Sequence, residues 1–156
     1  VLKPREPDAF NGTADVQAFH KFMQQITDYL DGYDIHPSRQ AVTVSNFLTD
    51  KAYEFYVVMV SRNPRVWTLR QLFIELFNYC FPVDFRMKMR QKLRKCYQKD
   101  KSVLEFIHEL ESLFMMAGVL FEQEQVDKLW TGLNTYIQKG LWHEKLSPTT
   151  ASWQAI

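Results

Sequence analysis

Apolar positions recur at steps of three and four along most of this chain, the spacing of one face of an α-helix. Val16, Phe19, Phe22, Met23, Ile26, Tyr29 and Leu30 form the first such stripe, which Gly32 ends. Asn11-Gly12-Thr13 is placed to cap it, and Asp15 suits the positive end of its first turn. Pro37 predicts the first position of a second helix reaching about Leu48. Ala52, Phe55, Tyr56, Met59 and Val60 mark a third, which stops before Asn63-Pro64. Val57 to Val60 also reads as a buried strand, but the 3.6-residue period around it favours helix. Thr68-Leu69-Arg70-Gln71 has the form of a capping box and opens the stripe Leu69, Leu72, Phe73, Leu76, Phe77 and Cys80. Pro82 then breaks the chain.

A basic helix is predicted from about Asp84 to Tyr97. Ser102-Val103-Leu104-Glu105 is a second capping box. The cleanest stripe follows it: Val103, Phe106, Ile107, Leu110, Leu113, Phe114 and Ala117, closed by Gly118. Val126, Leu129, Trp130 and Leu133 define a short helix, and Asn134 caps another that carries Ile137, Leu141 and Trp142. Ser147-Pro148 reads as one more helix start, left incomplete at Ile156. The reading is therefore all-α, with nine helices, short connections and no hairpin signal. The best internal boundary is Phe81-Pro82-Val83-Asp84. It gives an N-terminal lobe over residues 1–82 with about four helices and a C-terminal lobe over 83–156 with about five.

Composition narrows the function classes. Of 156 residues, 46% are hydrophobic and 24% charged, and aromatics reach 15%, so the chain has the bulk to fold. The start Val1-Leu2-Lys3-Pro4-Arg5-Glu6-Pro7 lacks a signal-peptide core, and the apolar run Leu113 to Phe121 is too short to span a bilayer. A cytoplasmic protein without membrane contact is the expectation. The chain starts without Met and ends mid-pattern, so it is expected to be a fragment. Two cysteines, Cys80 and Cys96, make neither a disulfide framework nor a zinc cluster. Cys80 falls on an apolar stripe, whereas Lys95 and Arg94 beside Cys96 favour its thiolate.

No catalytic constellation stands out. His20, His36, His108 and His143 are scattered, and the chain has no nucleophile elbow, phosphate-binding glycine loop or HExxH. Asp28, Asp31 and Asp34 lack the alternating oxygens of a calcium loop and read as a solvated helix end. Asn11-Gly12-Thr13 matches a glycosylation sequon but reads better as a turn. The expectation is a non-enzyme with no cofactor, no metal and no small-molecule substrate.

Charge is uneven although the net is +1. Eight basic residues, Arg86, Lys88, Arg90, Lys92, Arg94, Lys95, Lys99 and Lys101, face only Asp84 and Asp100 between positions 84 and 101. On a helix, Phe85, Met89, Leu93 and Cys96 take the inner face and the cations point outward. This stripe reads either as a sequence-blind contact for nucleic-acid phosphates, with Arg86, Lys88, Arg90, Lys92, Arg94 and Lys95 as its core, or as a solvated face. Trp130, Trp142 and Trp153 lie on short C-terminal helices, each either core or interface anchor.

The order of these signals resembles the Gag capsid-like domain of gypsy-type LTR retrotransposons, a family that includes domesticated Gag-derived proteins. Lys3-Pro4 with Phe10-Asn11-Gly12 resembles the family's opening, and Asp50 to Tyr56 its next conserved helix, with Asp50 for Gly and Phe55 for Trp. Trp67 to Phe73, Phe77 and Phe81-Pro82 match a further aromatic pattern. Leu93 to Gln98 leading into Ser102 to Ile107 resembles the major homology region, with Gln98, Ser102, Val103, Glu105 and Phe106 at its centre. Trp130-Thr131-Gly132-Leu133 resembles the family's later Gly-Leu step. The resemblance implies two helical lobes of retroviral capsid type and self-assembly into intracellular virus-like particles around the element's RNA. It implies ring contacts from the N-terminal lobe and a dimer contact on the helix from about Glu122 to Gly132, making Val126, Leu129 and Trp130 its candidates. No Cys-x2-Cys-x4-His-x4-Cys zinc knuckle is present, so RNA binding through that module falls outside this chain. Two other readings stay open: a domesticated adaptor that holds partner peptides in an apolar groove of its N-terminal lobe, and a helical nucleic-acid-binding module using residues 84–101.

Overall fold

A computed structural model describes residues 3–149 and 151–156. The fold is all-helical, and the chain divides into two compact units, Val1–Val83 and Asp84–Ile156. No helix among the described residues is long and apolar enough to cross a membrane.

In the first unit α1 spans Val16–Gly32, α2 Pro37–Ser45, α3 Asp50–Phe55 and α4 Leu69–Cys80. The cap of α1 is Asp15, not the upstream Asn-Gly-Thr: its carboxylate accepts from the backbone N–H of Gln17 at 2.9 Å and of Ala18 at 3.2 Å. Asn11 instead closes a turn, its Oδ1 accepting from the Thr13 N–H at 2.9 Å. Gly12 sits in that turn at φ +88°, where an added Cβ would meet the Ala52 nitrogen at 2.7 Å. Only glycine satisfies both the torsion and the close approach. Phe10, just before the turn, is extended. Its N–H donates to the Phe47 carbonyl (2.8 Å), and its carbonyl accepts from Thr49 N–H (2.9 Å).

α3 does not end at Phe55 but widens into a π-helical turn over Tyr56–Val60. The expected stripe put Met59 in the core. A π turn holds about one residue more than an α turn, so the inward position after Phe55 moves on to Val60. Val60 is fully buried, Met59 is 43% exposed, and Val57 and Val58 also face out. The alternative of a buried strand there is thereby excluded. A 3-10 turn at Pro64–Val66 leads to α4, where both halves of the Thr68/Gln71 capping box form. Phe19 packs edge-on against Phe77 at 5.4 Å, and Phe10 stacks on Phe22 at 5.3 Å. The phenylalanines thus link the extended segment, α1 and α4 into one core.

In the second unit α5 spans Val83–Arg94, α6 Val103–Ala117, α7 Glu122–Gly132 and α8 Thr135–His143. α5 stops three residues short of the expected Tyr97. Cys96 and Gln98 are both buried while Tyr97 and Lys99 between and after them are exposed, an alternation that an α-helix does not give. Ser102 caps α6 by accepting from the Glu105 N–H at 3.1 Å. The Glu105 carboxylate takes the Ser102 hydroxyl in return, so this box is closed side chain to side chain. Gly118, at φ +74°, ends α6. The inner faces of α5 and α6 meet Leu129 and Leu133 in one core.

The expected ninth helix does not form among the described residues. From residue 146 on, the described residues make isolated turns, with Ala151 N–H donating to the Ser147 carbonyl at 2.9 Å and Ala155 N–H to the Ser152 carbonyl at 3.2 Å. The segment folds back along its own unit instead: Trp153 N–H donates to Glu122 Oε1 at 2.7 Å, and its ring meets Phe114 edge-on at 5.7 Å. Among the described residues the second unit therefore has four helices rather than the five expected.

Candidate functional site

Of the residues that resemble the major homology region, Gln98 is the one that ties separate segments together. Gln98 is 2% exposed and satisfies all four of its polar groups. Its backbone N–H donates to the Gly132 carbonyl at 2.9 Å, and its own carbonyl accepts from Lys101 N–H at 3.0 Å. Its side-chain Nε2 donates to the Lys101 carbonyl at 3.1 Å, and Oε1 accepts from Asn134 N–H at 3.0 Å. Asn134 returns the link by donating Nδ2 to the Lys99 carbonyl at 3.0 Å. The loop before α6 is thereby tied to the junction of α7 and α8, more than thirty residues away. Phe106 lies fully buried beneath this junction. A Cβ on Gly132 would meet its Cζ at 2.5 Å, so glycine lets the backbone rest on the ring.

Beside the hub, Lys101 pairs with Glu109 at 2.7 Å, and the Cys96 thiol donates to the other Glu109 oxygen at 3.3 Å. The Lys101 hydrogen bond holds the Glu109 carboxyl below its usual range. The expectation for Cys96 is overturned. Burial first, then Glu109, pushes its thiol up to about 11, and the neighbouring cations do not offset this. Cys80 is likewise pushed to about 11 by burial. Neither cysteine is a nucleophile at neutral pH. Among the described residues no cluster of histidine, cysteine and carboxylate side chains is placed to hold a metal.

The trio expected to meet a second copy faces the wrong way for that role. Val126 and Leu129 are fully enclosed and Trp130 is 7% exposed, and Leu129 belongs to the core around α6. Positions i, i+3 and i+4 share one face, and on this eleven-residue helix that face is the core side. On α8 Tyr136 is 68% and Trp142 56% exposed, and the Trp142 ring stands edge-on to Trp130 at 5.4 Å.

The basic segment is a surface, as expected, but it is not one stripe. Arg86, Arg90 and Arg94 follow each other at i, i+4 along one flank of α5, and Lys88 and Lys92 lie on the other, with Lys95 just past the helix end. Exposed Met87 and Gln91 lie between the rows, and Met89 and Leu93 bury the inner face. Lys88, Arg90, Lys92, Arg94 and Lys95 are exposed, and none has an acidic partner among the described residues. Like charges at i, i+4 cost a helix about 0.2–0.5 kcal/mol each. The helix dipole repays this only near the C-terminal turn, at Lys92 and Arg94. Past the end of α5, Lys128 of α7 donates to the Arg94 carbonyl at 3.4 Å, with its ammonium 4.3 Å above the Tyr97 ring. Burial lowers the Lys128 pKa.

One feature escaped the sequence entirely. An open cleft of about 400 Å³ in the first unit is lined by Met59, Val66, Trp67, Gln71, Ile74 and Glu75. Met59, which the π turn leaves exposed, forms part of its wall. Comparison with protein-family models, curated proteins and solved structures finds no match to this chain.

Proposed function

We propose that this chain is a structural subunit of Gag capsid type that assembles with copies of itself into particles enclosing RNA in the cytoplasm. The observation that carries the reading is the convergence at Gln98. Segments that carry the resemblance lie far apart in sequence, yet Gln98, Phe106 and Gly132 meet in one interlocked arrangement. A shell protein needs a rigid unit with repeated, symmetric contacts, not a reactive pocket. Two small helical units with two inert, buried thiols suit that need.

Negative-stain electron microscopy of the nuclease-treated protein at high concentration, with and without added RNA, tests the reading. Regular shells or tubes are the expected outcome, and Trp142→Ala is expected to weaken them without loss of helicity. A chain that stays monomeric in both conditions overturns it.

The cleft beside the π turn favours a second reading, an adaptor that holds an apolar partner segment against Met59, Val66, Trp67 and Ile74. A stable monomer that binds apolar peptides, and loses them on Met59→Asp, is its signature.

A further inference from the structure

We propose that α5, extended by Tyr97 and Lys128, is a binding surface for single-stranded nucleic acid. The cations track phosphates, and Tyr97 offers a platform for a base. This goes beyond the capsid reading and does not depend on assembly.

Charge is the first ground. Lys88, Arg90, Lys92 and Arg94 crowd the second half of α5 and Lys95 directly follows it, all exposed and all without an acidic partner among the described residues. The second unit does have carboxylates, but Glu109 is taken by Lys101 and Cys96, and Glu122 by Trp153. Among the described residues Lys88, Arg90, Lys92, Arg94 and Lys95 thus stay free of ion pairs, which leaves them available to a polyanion.

The rows themselves are the second ground. They lie on both flanks of the helix with Met87 and Gln91 between, so cations cover most of its solvent side. A flexible single strand can follow such a surface, whereas specific readout of a duplex needs side chains aimed at base edges.

The third ground is Tyr97. It is exposed, directly follows the helix, and is held by Lys128 over its ring at 4.3 Å. Lys128 is in turn tied to the Arg94 carbonyl, which joins the aromatic to the end of the cationic rows. Phosphate contacts followed by an aromatic face are the two components of sequence-tolerant single-strand binding.

A membrane surface is the competing polyanion. An interfacial helix must bury its apolar face in lipid, but in α5 that face, Met89 and Leu93, is already buried in the protein.

The test is fluorescence anisotropy of a labelled twenty-nucleotide oligo(U), titrated with the full chain at nanomolar to micromolar concentration across a salt series. Five phosphate contacts give a slope of log affinity against log salt of roughly −3.5. Lys88→Gln/Lys92→Gln/Lys95→Gln is expected to reduce its magnitude by about 2, while circular dichroism stays unchanged. Arg62→Gln/Arg65→Gln, on the exposed surface of the first unit, leaves the slope where it was. Tyr97→Leu lowers affinity about tenfold at every salt concentration without altering the slope. Equal slopes for the wild type and the lysine variant overturn the proposal. So does unchanged affinity in Tyr97→Leu, or binding to phosphatidylserine vesicles without binding to oligo(U). Shells seen by microscopy alongside flat anisotropy would sink this surface and leave the capsid reading standing.

Discussion

Single residues in this protein are placed by contact as much as by propensity, and Gly132 is the clearest case. Its backbone is in no left-handed conformation, so what excludes a side chain is the Phe106 ring at 2.5 Å. Phe106 has no solvent side into which to retreat. Gly132→Ala is expected to cost about 1–3 kcal/mol by overpacking. In a unit of this size, that lowers the melting temperature by about 4–8 °C per kcal/mol. Phe106→Leu in the same chain should return part of the loss, measurable by thermal circular dichroism. His20 makes a different prediction. Burial lowers its pKa, so the unfolded chain takes up the proton first as the solution acidifies. Its contribution to stability is complete above the unfolded value of about 6.5 and falls as pH drops through it. Urea midpoints at pH 7.5 and 5.5 should therefore differ more for the wild type than for His20→Gln.

Elements depend on the links between them. The capping signals at Thr68 and Ser102 were legible because a cap is a local bargain: hydroxyl, backbone N–H and a partner three residues on all lie within four positions. The α1 stripe and the α6 stripe were legible for the same reason, since a 3.6-residue period is a property of neighbours. Met59 was not, because a π turn is decided by what the helix packs against, and the residue pattern looks the same either way. Trp130 shows the other limit. The stripe it belongs to was read correctly, but a stripe does not say whether its neighbour is the same chain or another. Gln98 was marked only by resemblance. In the sequence it sits among Lys95, Lys99, Asp100 and Lys101 and looks like one more solvated polar residue; only its partners at Lys101 and Asn134 set it apart. Gln98→Leu keeps the volume but strands the Asn134 N–H and the Lys101 carbonyl, and each buried orphan costs about 1–3 kcal/mol. Hydrogen exchange at the Asn134 amide should then speed up by about tenfold or more while far-ultraviolet dichroism barely changes.

The whole molecule is two cores on one chain. The first is held by phenylalanines from Phe10 to Phe81, the second by leucines and Phe106 around α6. The expected boundary, after residue 82, falls one position from the division between the units, and α5 starts at Val83. Fragments 1–82 and 83–156 are each expected to show a cooperative thermal transition, since each contains its own buried cluster. Dichroism of the two, summed, should match the intact chain, and a fragment that melts without cooperativity would show that its core is incomplete. Small units of this length bury only about 60% of their unfolded surface, so neither has stability to spare.

That thin margin gives the four-way satisfaction of Gln98 a kinetic meaning. Its partners lie on both sides of a loop that spans all of α6 and α7. Hydrophobic collapse can bring those helices together in several registers, because Leu, Val and Phe tolerate sliding. The glutamine does not: slide α7 by one turn and a desolvated amide loses Asn134 and Gly132 together. Apolar contact draws the chain together, and one amide singles out the register in which its partners are met.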